Sequence, residues 1–185
     1  MSDDGPKQQT KPLTGPTTFS PKPTGAWEIY SVQRQLPRLN DEAHNYLALV
    51  DPKGNIVSEM HGCFTNQFSP WTTAGNYLQV HIVLPNRFLR DKPIIGAPRS
   101  VYSGTQADVD AKWNDAYDTV AKALDKNHTL YQGYKPFAAR NYNSNSVWGA
   151  VQVSNGYMWD DYHFDFKSSQ GKVRIAHARK SLNLQ

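Results

Sequence analysis

The segment from Asn141 to Ser146, Asn-Tyr-Asn-Ser-Asn-Ser, concentrates amide and hydroxyl side chains just before the apolar residues Val147 and Trp148. Small polar residues in such a position are typical of a helix N-cap. The first turn of a helix also carries unpaired backbone N–H groups and the positive end of the helix dipole, which stabilise negative charge on an attacking oxygen. The segment therefore predicts either a plain helix cap or a serine nucleophile at the start of a helix over 144–153.

A serine hydroxyl at this position needs a base, because it is a weak nucleophile on its own. The chain has six histidines that could serve: His44, His61, His81, His128, His163 and His177. His44 is the best placed, since it begins the strongest strand pattern and follows the polar stretch 39–42. We predict that its ring lies at the edge of a sheet, where a cleft can form. The alternative is that His44 is a hydrogen-bonded histidine of the core.

The relation of His44 to His61 depends on the register of a predicted β-hairpin. Strand patterns at 44–50 and 55–61 flank Asp-Pro-Lys-Gly at 51–54, whose residues are typical of a tight turn. If all four residues form the loop, His61 lies opposite His44 on the same face of the sheet. A three-residue loop turns His61 to the opposite face, because a slip of one residue exchanges the faces.

The sequence leaves open which group orients the His44 ring. His61 is one candidate, and Glu59 is a second, since it shares the face of His61 in either register. His81 on the following predicted strand is a third. Cys63 follows His61 in a predicted loop and is a weaker candidate for the nucleophile itself, because a lone thiol is usually an inert apolar side chain.

Strand patterns precede the helical pattern along the chain. A stripe of apolar residues at spacings of three and four predicts a helix through Val109 and Leu124, and Thr105 with Asp108 is a candidate capping box. The loop 86–104 has room for one edge strand, and 172–178 is a candidate terminal strand. The other predicted strands cover 27–36, 44–50, 55–61 and 77–84. This order favours an α+β fold, an antiparallel sheet of four to five strands packed on two main helices.

The domain organisation follows from composition. Residues 1–25 contain five prolines among Thr, Lys and Gly, so we predict a flexible leader followed by one domain over 26–185. The start of the chain lacks the basic and apolar pattern of a secretory signal, and no apolar run reaches the length of a membrane span. We therefore expect no transmembrane segment, and a cytoplasmic location in the producing cell with any export by a route without a Sec signal.

Charge and cysteine content exclude further classes. The net charge is +4, but the 20 Lys and Arg residues are scattered along the sequence, so we expect no nucleic-acid partner. The one cysteine, Cys63, excludes an internal disulfide and a cysteine-based zinc site. The acidic stretch 160–165 contains a histidine, but its residues lack regular ligand spacing and favour a solvated loop. No cofactor and no metal are expected.

Three segments together resemble a known group of enzymes. They are the strand that begins His44-Asn-Tyr-Leu-Ala-Leu-Val-Asp, the strand that ends Glu59-Met-His61-Gly62, and Asn143-Ser-Asn-Ser-Val-Trp148. In this order they resemble the circularly permuted NlpC/P60-like, or papain-like, hydrolases, in which a histidine-bearing strand precedes a helix that carries the nucleophile. That helix typically begins Asn-Cys-Asn or Asn-Cys-Glu-His. Ser144 takes the cysteine position, as in the Asn-Ser-Asn-Ser variant of bacterial and phage toxin-like domains.

The resemblance implies a permuted papain-like hydrolase that cleaves an amide or ester bond. Ser144 would be the nucleophile and His44 its base, with His61 or another polar residue holding the His44 tautomer. Tyr142, Asn143 and Asn145 would contact the substrate, which could be peptidoglycan, a protein or a lipid. The biological setting implied is an antibacterial effector or toxin with an immunity protein as its partner.

Two other functions remain open at this stage. Serine in place of cysteine is also what a catalytically inactive module would show, for example a binding or structural component of a phage or a secretion apparatus. Alternatively, His44 and His61 could form the acid–base pair of a nuclease toxin.

Overall fold

The structure, a computed structural model, describes residues 15–36, 39–64, 78–87 and 89–127. These residues form an α+β arrangement of five strands and one helix. The elements are β1 (Trp27–Leu36), β2 (Leu39–Val50), β3 (Ile56–Phe64), β4 (Leu78–Val83), β5 (Arg99–Gly104) and α1 (Gln106–Asn127). The sheet has the order β4-β3-β2-β1-β5 and every neighbouring pair is antiparallel.

Strand β2 lies at the centre of this sheet and is buried on both faces, which explains its nearly continuous apolar run from Tyr46 to Val50. Tyr46, Ala48 and Val50 pack on one face together with Val32 of β1. Leu47 and Leu49 alternate with them and point to the opposite face. A strand with two buried faces leaves little freedom of register, so it fixes the positions of the side chains along it.

Helix α1 buries a stripe at helical spacing, formed by Val109, Trp113, Ala116 and Val120. The helix contacts β1, β4 and β5. Its N-terminus has the predicted cap: the Asp108 N–H donates to Oγ1 of Thr105 at 3.3 Å, and the Thr105 hydroxyl donates to Oδ2 of Asp108 at 2.6 Å. Among the described residues, no helix combines the length and the apolar character that crossing a membrane requires.

Two segments cover the sheet face that carries Tyr46. Phe19 and Ile94 are both buried in the cluster with Val32 and Tyr46. The segment around Ile94 also pairs with β1, because the Gln35 N–H donates to the Pro93 carbonyl and the Ile95 N–H donates to the Gln33 carbonyl. The Ile94 N–H in turn donates to the Pro16 carbonyl at 2.7 Å. Part of the segment 15–25 thus packs on the sheet, although this segment was predicted as the end of a flexible leader.

The sequence-based predictions agree with these elements in most places. The predicted strand 27–36 has the observed bounds, the edge strand is found within 86–104, and the predicted helix corresponds to α1. Strand β2 begins at Leu39 rather than at His44. The second predicted helix (144–153), the terminal strand (172–178) and residues 1–14 of the leader lie outside the described residues.

Candidate functional site

Two histidines and a glutamate form a continuous chain of polar contacts on the face of the sheet that carries Tyr46. Nε2 of His44 lies 2.8 Å from Nδ1 of His61, and Nε2 of His61 lies 3.2 Å from Oε2 of Glu59. All three side chains are buried, with 2% of His44 and 0% of His61 and Glu59 exposed. Because buried polar groups are costly unless they are hydrogen-bonded, each member depends on its neighbours.

A β-bulge brings the two histidines to the same face. The hairpin first pairs Val50 with Ile56, a register that would turn His61 away from His44. Leu49 then pairs with Ser58, so Val57 is an additional residue on β3 and the faces exchange once more. The turn itself thus has the register predicted for the three-residue loop, and the bulge then returns His61 to the His44 face, the outcome predicted for the four-residue loop.

The rings of this face stack on one another. The His44 and His61 rings are 5.1 Å apart between centroids with an interplanar angle of 6°, and the Tyr46 and His61 rings are 4.6 Å apart at 16°. Stacking on Tyr46 restricts rotation of the His61 ring about its own bonds, since rotation would lose the contact with the tyrosine. The orientation of the histidine pair is thus fixed by packing as well as by hydrogen bonds.

Arg34 of β1 lies directly opposite His44 of β2 and is fully buried. Its Nε donates to the Tyr46 hydroxyl at 3.1 Å, and its Nη1 donates to the carbonyls of Thr17 at 2.6 Å and Lys92 at 3.2 Å. The guanidinium therefore joins the two covering segments to the sheet. A rigid fork of donors suits this role, because several acceptors from different segments can be satisfied by one side chain.

Asn86 contacts both Arg34 and Glu59 and so connects the two charged side chains. The Asn86 side-chain oxygen accepts from Nη2 of Arg34 at 2.7 Å, while the Asn86 backbone N–H donates to Oε1 of Glu59 at 3.0 Å. Its φ of 53° is in the left-handed region, which Asn tolerates better than most residues. The turn after β4 is thus shaped so that one residue contacts both charged groups.

The electrostatics of the site follow mainly from burial. Desolvation lowers the pKa of His44 well below its ordinary value, and the neighbouring His61 and Arg34 lower it further. Burial, with Arg34 and His81, lowers the pKa of His61 to about 3. Burial raises the pKa of Glu59, although the Asn86 N–H and the Arg34 charge act in the opposite direction. Both imidazoles are therefore neutral near pH 7.

These contacts determine where the protons lie when Glu59 is ionised. A carboxylate can only accept hydrogen bonds, so Nε2 of His61 carries the proton and donates to Glu59. Nδ1 of His61 then has a lone pair and accepts from the Nε2–H of His44. The second nitrogen of His44, Nδ1, is consequently unprotonated, which is the state that a general base requires.

No protein-family model, no curated protein and no solved structure matches the chain. The likeness to the permuted papain-like hydrolases accordingly rests on the sequence motifs alone.

The structure brings together two of the sequence-predicted site residues, His44 and His61. The prediction that His44 lies at a sheet edge is wrong: because β2 begins at Leu39 and is the central strand, His44 is inside the sheet and buried. Cys63 lies in β3, paired with Gln79, and not in a loop. The remaining predicted site residues lie outside the described residues: Tyr142, Asn143, Ser144 and Asn145.

The three candidates for the orienting group occupy different places. His61 is in contact with His44, and Glu59 is in contact with His61. His81 lies opposite His61 across β3 and β4, and it also lines a cavity of about 230 Å³ together with Gln79, Val80, Tyr117 and Ala121. His61 thus lies between His44 and Glu59, so these two candidates are neighbours in one row of contacts and not alternatives. Within the described ranges, no group of three or more His, Cys, Asp and Glu side chains could hold a metal ion.

Arg34, Tyr46 and Asn86 are members of the site that the sequence analysis missed. Arg34 lies in Gln-Arg-Gln of β1, a polar run that resembles an exposed strand. The one signal was its position, since Arg34 is two residues after Val32 and so shares its face of the strand. Asn86 follows Pro85 after a strand, which indicates a turn but gives no hint of a contact with Glu59.

Proposed function

We propose that the protein is a hydrolase of amide or ester bonds in which His44 is the general base and Ser144 is the nucleophile. The observation that carries this proposal is the 2.8 Å contact between Nε2 of His44 and Nδ1 of His61, which is itself backed by Glu59 at 3.2 Å. A base whose second nitrogen is held by a further polar group is the arrangement that activates a weak hydroxyl nucleophile.

The two ring nitrogens of His44 have different partners in this mechanism, one being His61 and the other the nucleophile. Because Nε2 of His44 contacts His61, the nucleophile uses Nδ1. Oγ of Ser144 forms a bond to the carbonyl carbon while its proton passes to Nδ1 of His44. The tetrahedral intermediate then breaks its bond to the leaving group, which receives that proton, and water releases the acyl group from Ser144 in the reverse sequence.

Burial supports His44 in this role and gives it a particular character. The lowered pKa keeps the imidazole neutral, and so able to accept a proton, at pH values where an ordinary histidine is partly charged. The same low pKa makes an imidazolium costly, so the site needs a way to accommodate the positive charge that arrives with the proton. The Glu59 carboxylate, one ring away, supplies negative charge for this purpose.

The rest of the proposed site follows the resemblance. A second helix over 144–153 would present backbone N–H groups to the oxyanion, Asn143 and Asn145 would position the substrate, and Tyr142 would contact it. The overall arrangement would be that of the permuted papain-like hydrolases. We further propose a peptidoglycan, protein or lipid substrate, an effector or toxin role, export without a Sec signal, and an immunity protein as partner.

The contact between the two histidines favours this hydrolase over a nuclease. A nuclease with two histidines needs each ring to present a nitrogen to the phosphate or its leaving group. Here the rings contact each other directly, and the other nitrogen of His61 contacts Glu59. Both nitrogens of His61 are thus engaged within the site, whereas the hydrolase requires only Nδ1 of His44 to act on the nucleophile.

The test uses a fluorophosphonate, which labels a serine only where a base activates it, with mass spectrometry to locate the label. Ser144→Ala and His44→Gln should abolish labelling, and both should lower ester or peptidoglycan hydrolysis by at least about 100-fold. Ser146→Ala is the matched control, because Ser146 belongs to the same motif, and it should be labelled as the wild type is.

Ser144→Cys separates an inactive module from an enzyme. A thiol close to His44 should react with iodoacetamide faster than a free cysteine does near neutral pH, and His44→Gln should remove the difference. Unlabelled wild-type protein, together with ordinary thiol reactivity in the Ser144→Cys variant, would exclude the hydrolase and favour the binding or structural module.

A further inference from the structure

The two oxygens of the Glu59 carboxylate have different partners. Oε1 accepts from the backbone N–H of Asn86 at 3.0 Å, and Oε2 lies 3.2 Å from Nε2 of His61. The backbone N–H of Asn86 can only donate, so Oε1 is held as an acceptor whatever the charge on Glu59. Any proton that Glu59 takes up is therefore directed to Oε2, the oxygen that faces His61.

We propose that Glu59, His61 and His44 form a proton wire, in which a proton accepted at Nδ1 of His44 is delivered as a net charge to Oε2 of Glu59. This deepens the proposed hydrolase mechanism and rests on it for the source of the proton. Glu59 and Asn86 act as positioning residues, since neither contacts the reacting atoms.

The protons move one place each along the wire. His44 gains a proton at Nδ1 and gives its Nε2 proton to Nδ1 of His61. His61 gives its Nε2 proton to Oε2 of Glu59. Both rings exchange one neutral tautomer for the other, Glu59 becomes a neutral carboxylic acid, and one proton has been added in total.

The geometry favours this transfer over a stationary imidazolium. The two contacts of the wire are 2.8 and 3.2 Å long, and no member is more than 2% exposed, so water does not solvate a charged ring. Neutralising Glu59 removes a buried negative charge instead of adding a buried positive one. The pKa values agree in direction, since burial raises that of Glu59 and lowers that of His61 to about 3.

Charged and titratable groups from each neighbouring strand face this wire. Arg34 of β1 and the Asn86 N–H stabilise the Glu59 carboxylate, and therefore return the wire to its resting state after each transfer. The Tyr46 hydroxyl of β2 stays protonated, because burial and Glu59 raise its pKa. His81 of β4 lowers the pKa of His61 and so disfavours a charge resting in the middle of the wire.

The wire can be tested without any substrate by ¹⁵N NMR of histidine-labelled Ser144→Ala protein, titrated downward from pH 7. At the resting pH both His44 and His61 should carry their proton on Nε2. As Glu59 is protonated, both should change together to Nδ1–H, and the amide proton of Asn86 should shift in the same pH range. Protonation of both nitrogens of either ring while the protein stays folded would overturn the wire.

Glu59→Gln is the decisive variant. The Asn86 N–H requires the amide oxygen of Gln at the Oε1 position, so the amide NH₂ faces His61 and donates to it. Both rings should then be locked as Nδ1–H at every pH, and hydrolysis should fall by at least about 100-fold. Rings that keep Nε2–H in this variant would contradict the role given to Asn86.

Two controls separate the wire from general effects on folding. Glu28→Gln changes another buried glutamate of the sheet, one that is bonded to Thr24 and Tyr30, and should leave the histidine tautomers unchanged. Asn86→Gly removes the side-chain acceptor of Arg34 but keeps the backbone N–H that holds Oε1, so the tautomers should stay as in the wild type, and their reversal would contradict the role given to that N–H. If the tautomers reverse as expected but no hydrolysis is found in the wild type, the wire stands and the proposed reaction falls.

Discussion

Arg34 and His44 face each other across β1 and β2, and both are buried inside the sheet. The positive charge of Arg34 thus lies beside a neutral imidazole, and the His61 ring contacts that imidazole at 2.8 Å. Burial, together with this charge, lowers the pKa of both histidines, so the folded state disfavours their protonation. The stability of the protein should therefore depend on pH.

The first prediction concerns acid. His44 and His61 have folded pKa values below their unfolded value of 6.5, so the unfolded chain binds their protons first as the pH falls. Each group lowers the free energy of unfolding by up to about 1.4 kcal/mol per pH unit below 6.5, and for His61 this continues to about pH 3. Urea unfolding measured from pH 7 to pH 4 should show this loss.

Glu59 acts in the opposite direction, because its raised pKa makes the folded state bind its proton before the unfolded state does. The loss on acidification should therefore become less steep where Glu59 is protonated. His61→Gln serves as the comparison and should show a shallower loss between pH 6.5 and pH 4 than the wild type. Equal slopes for the two proteins would mean that His61 is not buried in the neutral form.

The second prediction concerns the clamp formed by Arg34. Arg34→Met should lower the free energy of unfolding by more than about 3 kcal/mol, because it leaves the Thr17 and Lys92 carbonyls and the Tyr46 hydroxyl without their donor. Arg90→Met in the same covering segment is the control, since Arg90 is exposed, and should change stability by less than about 0.5 kcal/mol. Similar losses in both variants, measured by urea unfolding, would show that the clamp contributes little.

Local patterns were sufficient to predict most of the described fold. The run His44–Val50, the turn at 51–54 and the stripe of α1 are each set by residues close in sequence, so the strands, the hairpin and the helix could be derived. The sheet order could not be derived in the same way, because β5 pairs with β1 across most of the described chain. Such long-range pairing depends on burial of whole faces rather than on local preference.

The candidate site was predictable only in its residue types. His44 and His61 were identified because histidines on paired strands can meet, but the bulge at Val57 that sets their register carries no sequence signal beyond an ordinary strand. Burial of His44 was missed because the polar stretch 39–42 gives no strand pattern, although β2 begins at Leu39. Arg34 was missed because a charged residue is normally exposed. Its burial depends on acceptors that are distant in sequence, namely the carbonyls of Thr17 and Lys92 and the side-chain oxygen of Asn86.

The third prediction concerns the start of α1. Thr105→Ala should lower the free energy of unfolding by about 1 kcal/mol, because the Asp108 N–H loses its acceptor and Asp108 loses the hydroxyl donor. Thr119→Ala makes the same chemical change within the helix, where Ala has the higher helix propensity, and should be neutral or slightly stabilising. Chemical denaturation of both variants checks the difference in sign. A loss at Thr119 equal to that at Thr105 would mean that the effect is not capping.

The fourth prediction uses two glycines with nearly the same backbone conformation. Gly25 has φ 80° and Gly54 has φ 82°, so a Cβ at either position is disfavoured by about 1–2 kcal/mol. A Cβ on Gly25 would meet nothing within 4 Å, whereas one on Gly54 would lie 2.6 Å from the Pro21 carbonyl oxygen. Gly54→Ala should therefore destabilise the protein more than Gly25→Ala, because the segment at Pro21 must also move.

The difference between the two alanine variants isolates the contact between the hairpin turn and the segment that precedes β1. Thermal unfolding of both proteins measures it, and limited proteolysis near Pro21 should show faster cleavage in Gly54→Ala alone. Since Arg34 holds the same segment through the Thr17 carbonyl, combining Gly54→Ala with Arg34→Met should cost less than the sum of the two single changes. Strict additivity would mean that the turn and Arg34 hold this segment independently.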